Sequence, residues 1–208
     1  MKNEKKQNGW KKPLRRLHVA GIFMAVLFAA IRAVCADDAR DKIFAARAQA
    51  AFERAQAQYL LQTNNPVLGW QFARACYDWA DWATNKSERA VIAKAGMAAC
   101  RRVILFTNCA AAHYYMGLNM GQLAQSEALH GLKLVREMEH EWLTAIELDP
   151  RFDSAGPERS LGLLYRDAPG WPLSIGNRHK AQEHLQNAAS LAPDDPENML
   201  NLAESYLK

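Results

Sequence analysis

Ala155-Gly156-Pro157-Glu158-Arg159-Ser160-Leu161-Gly162-Leu163-Leu164-Tyr165-Arg166, followed at a distance by Ala181, Leu185, Ala188 and Pro193, is the stretch whose reading decides the fold. Pro157 suits a first helical turn, where its missing N–H costs nothing. Asp167-Ala168-Pro169-Gly170-Trp171-Pro172 cannot continue a helix. A second helix is predicted from Arg178 to Leu191, and Ala192-Pro193-Asp194-Asp195-Pro196 stops it. The unit is therefore helix, break, helix, with a further helix starting near Glu197.

The same rhythm extends towards the N-terminus. An Ala-rich helix is predicted over 38–62, with Ile43, Phe44, Ala48, Ala51, Phe52, Ala55 and Tyr59 at helical spacing, and Asn64-Asn65-Pro66 ends it. Further helices are predicted over 67–83, from the turn at 84–87 to Phe106 with Ser87 as N-cap, over 109–124 and over 129–148, where Asp149-Pro150 stops the last. Half of the 208 residues are apolar, enough for one medium domain with a real core. No long run alternates apolar and polar residues, so a sheet is not expected.

These residues resemble the tetratricopeptide repeat (TPR), a pair of antiparallel helices. Small side chains let the two helices approach, and large ones fill the space beside them. Leu161-Gly162 with Tyr165 matches the first-helix signature, and Ala181, Leu185, Ala188 and Pro193 match the second. Leu202-Ala203 and Tyr206 begin another copy. An earlier copy has Gly117, Met120, Trp142, Ala145 and Pro150, and the first has Trp70, Ala73, Tyr77, Ala93, Met97 and Cys100. The repeats are placed at about 66–107, 109–150 and 155–193, with a half repeat at 196–208. The expected fold is all-α: stacked antiparallel helix pairs in a short TPR-like solenoid. Its last helix should cap the array by turning Leu200, Leu202 and Tyr206 inward. Gln125–Gly131 and Asp167–Asn177 exceed the standard repeat, and both insertions fall between the helices of a pair.

Residues 156–176 are similar in particular to exported bacterial TPR proteins, including the periplasmic T component associated with TRAP-type transporters. That resemblance implies a protein that binds a partner or small ligand rather than an enzyme. In such arrays the concave face carries first-helix residues outside the signature: Gln71, Asp78, Tyr114, Leu118, Gln122, Arg159, Leu163 and Arg166. Arg159 and Arg166 are seven apart and share a helix face, a stripe suited to a carboxylate or acidic peptide. Internal pairing of Arg166 with Asp167 or Glu204 is the alternative. Two function classes follow: an exported scaffold for a protein or peptide partner, or a small-ligand accessory of a TRAP-type transporter. A periplasmic enzyme is the third.

Residues 1–36 read as a signal peptide. They hold eight Lys and Arg against Glu4 alone, then an apolar run from Val19 to Ile31 that is too short to span a bilayer. Val34-Cys35-Ala36 offers small residues for cleavage after Ala36, with an uncleaved membrane anchor and a lipidated Cys35 as alternatives. The remaining 37–208 carries 18 basic and 21 acidic residues, so its net charge falls from the whole chain's +4 to −3. That balance gives no footprint for nucleic acid. Export makes a disulfide between Cys76 and Cys100 or between Cys100 and Cys109 reasonable, the first preferred because both residues should face inward. Three buried thiols are the competing reading.

No catalytic motif, phosphate loop or cofactor box occurs, and no cofactor or metal is expected. Glu137, His140 and Glu141 share one helix face at a spacing that could hold a metal, but charged residues coat ordinary solvated helix faces in the same way, and that reading is preferred. His179 and His184, five apart, do not share a face. Tyr77 and Trp142 are expected in the core, and Trp171 is expected to cap the inserted edge.

Overall fold

The computed structural model describes residues 40–126 and 128–207, with the side chains of 128–131 left aside. The signal peptide expected over 1–36, including Cys35, lies outside the described residues, as does Lys208. The chain divides into two compact units, Met1–Ala46 and Arg47–Lys208. The described part of the first unit, residues 40–46, is helical. The second unit holds the helix pairs.

The fold is all-α. Helix α1 covers residues 40–61. After it come α2 (Pro66–Ala80), α3 (Lys86–Phe106), α4 (Ala110–Ser126), α5 (Ala128–Leu148), α6 (Phe152–Asp167), α7 (Arg178–Leu191) and α8 (Pro196–Leu207). The pairs are α2–α3, α4–α5 and α6–α7, and each packs on the next. Helices α2, α4, α6 and α8 also touch in series, whereas among the described residues α3, α5 and α7 do not. The first helices of the pairs therefore form an inner row.

Side-chain caps set several helix starts. Asn65 Oδ1 accepts from the amides of Val67 and Leu68. Asn177 Oδ1 accepts from Lys180. The cap of α3 is Asn85 rather than Ser87: its Oδ1 accepts from Glu88 N, and Glu88 in turn accepts from Thr84 N and Oγ1. This reciprocal closure ends the chain's freedom two residues earlier than the sequence suggests.

Glycine notches fix how each pair closes. A Cβ on Gly162 would lie 2.7 Å from Leu185 Cγ and 3.2 Å from Ala181 O. Gly117 meets the Trp142 ring in the same way, and Gly69 meets Val103. The second and third pairs follow the expected register. The first does not: its notch is Gly69 against Val103, not the face carrying Trp70, Ala73 and Tyr77. That other face packs on the second pair, where Trp70 stacks on Tyr115 and Ala73 O accepts from buried Asn119. Helix α2 has two apolar faces because it has two sets of neighbours. Phe72 and Cys76 on the notch side join Phe52, Ala55 and Tyr59 of α1.

Three further expectations are corrected. Cys76 and Cys100 are both fully buried with free thiols, and Cys109 is a half-buried free thiol. Burial pushes the Cys76 thiol up to about 12 and the Cys100 thiol well above its usual range, so both behave as small apolar groups. Trp171 caps nothing, being 89% exposed. Helix α8 turns Asn198 and Ser205 inward while Leu200 (59% exposed) and Tyr206 (55%) face solvent. The buried Asn198 amide serves three carbonyls, of Ser154, Ala188 and Ala192. Meeting those carbonyls decides which face of α8 is buried. The two insertions also differ: the first is taken up largely by longer α4 and α5, and the second is the loop 168–177.

Candidate functional site: a groove along the inner row

A groove of about 520 Å³ opens along the inner row. Helix α2 gives Arg74, Tyr77 and Asp78; α4 gives Tyr114, Tyr115, Leu118, Gly121, Ala124 and Gln125. Helix α5 gives Val135, Met138 and Trp142; α6 gives Asp153, Arg159, Ser160, Leu163, Leu164 and Asp167; α8 gives Glu197. Its floor is apolar and aromatic. Its rim is charged.

The aromatic floor is rigid. Tyr114, Tyr115 and Phe152 pack with centroids 5.1 to 6.1 Å apart. Trp142 donates from Nε1 to Tyr114 O at 3.2 Å. Gly156 lets α6 approach: a Cβ there would sit 2.6 Å from the Tyr114 hydroxyl.

The start of α6 is built around a left-handed turn. Asp153, Ser154 and Ala155 have φ of 51°, 56° and 60°. Three such non-glycine residues cost about 1–2 kcal/mol each. The turn is held from both sides. Ser154 O accepts from Asn198 Nδ2 (2.9 Å) and from Arg159 Nη1 (3.4 Å), and Asp153 Oδ2 accepts from the Tyr115 hydroxyl (3.4 Å). The result is a carboxylate on α6 that lines the groove together with Asp78 of α2.

The electrostatics follow. Burial raises the Asp78 carboxyl above its usual range; Arg74, 4.0 Å away, opposes this, and the neighbouring Asp81 and Asp153 add to it. Burial pushes the Tyr77 phenol up to about 12, helped by Asp81, Tyr114 and Asp78. The Tyr114 and Tyr115 phenols are raised too, chiefly by burial.

Of the eight residues expected on the concave face, Asp78, Tyr114, Leu118, Arg159 and Leu163 line this groove. Gln71 is exposed outside it. Gln122 is buried, donating from Nε2 to Asp81 Oδ1 at 2.6 Å. Arg166 lines a separate hollow of about 250 Å³ and holds Asp167 through two hydrogen bonds (2.8 and 2.9 Å), with Glu204 at 3.3 Å. The arginine stripe therefore does not exist as a binding surface. Arg159 is nearly buried, bonded to Asn198 Oδ1 at 2.8 Å, with Glu197 at 3.6 Å.

Sequence reasoning missed Arg74, Asp153, Glu197 and Gly121, and placed Tyr77 in the core when it lines the groove. Asp153 and Glu197 sit at helix starts, where no periodicity marks a face. Among the described residues, no group of His, Cys, Asp and Glu is arranged to hold a metal. Glu141 is instead hydrogen-bonded to His113 Nδ1 at 2.6 Å.

A family model described as regulator of microtubule dynamics protein 1-3 matches residues 35–155. The chain belongs to that family. No curated protein matches it. The matched stretch covers all described residues of α1 to α5 and the left-handed turn, ending at Ala155. The groove draws on both sides of that boundary: Asp78 and Asp153 lie within the family match, Arg159 and Glu197 beyond it.

Proposed function

We propose that this chain is a TPR-like scaffold that holds a protein partner in the inner-row groove, and that it does so without catalysing a reaction. The observation that carries this reading is the groove itself: about 520 Å³, open, framed by five helices and floored by packed aromatic rings. Concave, mostly apolar surfaces with a few placed polar groups are the usual form of binding sites. The family's description names regulators of microtubule dynamics, proteins that act on another protein assembly, which sits well with a docking role. Export, with residues 1–36 as a leader cleaved after Ala36, is part of the same proposal and is tested by N-terminal sequencing of the mature protein.

Gly121 supplies the test of the groove. It lines the groove, and a Cβ there would meet only Met138 Cε, at 3.7 Å. Gly121→Leu is therefore expected to project into the groove while the fold holds. A photo-crosslinking residue at Leu163 should give a discrete adduct with a partner in the producing cell. The adduct should vanish in Gly121→Leu while helical content and melting hold. An adduct that persists in the filled variant, or none in the parent, removes the docking reading.

A further inference from the structure

The charge around the groove, taken with the docking reading on which this rests, narrows the partner's chemistry. Asp78 on α2, Asp153 on the α6 turn and Glu197 of α8 all line the groove, and Asp78 lies near enough to Asp153 to feel its charge. The arginines there are already engaged. Arg159 is hydrogen-bonded to Asn198 and Ser154 and lies 3.6 Å from Glu197. Arg74 lies 4.0 Å from Asp78. Those contacts partly neutralise Asp78 and Glu197 as well, but the lining still carries Asp78, Asp153 and Glu197 against Arg74 and Arg159, so an anionic segment would meet net like charge and a cation would relieve it. Each Tyr phenol on the floor feels at least one of the same carboxylates, opposed by Arg159 at Tyr114 and by Arg74 at Tyr115. Half-buried Tyr77 also offers a ring to a cation, and Leu118 and Leu163 offer apolar surface close by.

We propose that the groove receives a linear segment of a partner protein bearing a lysine or arginine next to an apolar residue. The cation lodges between Asp78 and Asp153 beside Tyr77, and the apolar neighbour rests on Leu118 and Leu163. This reverses the ligand charge that the sequence suggested, because Arg159 faces inward and Arg166 faces elsewhere.

Fluorescence anisotropy on the full chain tests it with three labelled peptides of equal Leu and Tyr content: one rich in Lys and Arg, one in Ser and Gly, one in Asp and Glu. The basic peptide should bind, and added salt should weaken it. Asp78→Asn with Asp153→Asn should weaken it about tenfold, as expected for two partly exposed charge pairs. Folding should survive, since asparagine tolerates the left-handed backbone at 153. Acidic or neutral peptides binding equally well, and blocked by Gly121→Leu, would overturn the charge inference while leaving the docking reading in place. Basic binding unchanged in the double Asn variant would overturn it as non-specific. If Gly121→Leu blocks no peptide, both fall.

Discussion

The joints of the α4–α5 and α6–α7 pairs share one geometry and differ in chemistry. In the first, Gly117 accepts the ring of Trp142, and one turn earlier on α4 His113 hydrogen-bonds Glu141 at 2.6 Å. In the second, Gly162 accepts Leu185, and one turn earlier on α6 Glu158 hydrogen-bonds His184, also at 2.6 Å. The imidazole and carboxylate have exchanged helices. The fold therefore requires a notch filled from the opposite helix and a polar bridge beside it, but does not prescribe which helix supplies which group. The first joint lies inside the family match and the second outside it. The α2–α3 pair keeps the notch, with Gly69 against Val103, but its neighbouring polar contact runs from Arg102 to Thr63 O and Asn64 Oδ1 in the turn before α2.

The notch is where the two joints should differ most. Trp142→Ala removes a ring that fills the space beside Gly117 and the hydrogen bond that its Nε1 donates to Tyr114 O. The expected loss is about 4 kcal/mol, against about 3 kcal/mol for Leu185→Ala. Urea unfolding of both variants measures this. A larger loss at Leu185 would show that the tryptophan joint is not the tighter of the two.

The polar bridges come next. His113→Glu places a second carboxylate against Glu141 in a largely buried site and should cost about 3 kcal/mol. Adding Glu141→His reproduces the α6–α7 order, and the double variant should regain more than half of that loss. A double variant no more stable than the sum of its parts would mean that the exchange seen between the pairs depends on their surroundings. Asn108, whose Oδ1 lies 2.6 Å from His113 Nε2, is the first such difference to inspect.

How far sequence reaches also differs between these regions. Leu161, Tyr165, Ala181, Leu185 and Ala188 were legible because small and large residues recur there at the spacing of a closing helix pair, and all five are buried. The α2–α3 register was not legible, because α2 packs against α1, α3 and α4 and is apolar on two faces. The groove was legible only in part. Asp78, Tyr114 and Arg159 follow from first-helix position. Asp153 depends on a left-handed turn that no propensity predicts, stabilised from α8 by Asn198, 44 residues from Ser154 in sequence. Arg159 and Arg166 share a helix face, but Asp167 and Glu204 capture Arg166 at the helix end. Angular position along a helix does not fix where a long side chain goes.

The smallest effect separates a glycine that packing requires from one that it does not. Gly117 and Gly121 lie one turn apart on α4. At Gly117 a Cβ would enter the Trp142 ring, whereas at Gly121 it would make only an ordinary contact with Met138. Neither glycine has positive φ, so backbone strain does not separate them. In mid-helix an alanine is favoured over glycine by about 0.5–1 kcal/mol when nothing obstructs it. Gly121→Ala should therefore raise stability by about that amount, while Gly117→Ala should lower it. Thermal unfolding of the two single variants reads both signs. Loss of stability at Gly121 would show that the groove wall is closed tighter than its 3.7 Å contact implies, and Gly121→Leu could then no longer serve as a clean block of the groove.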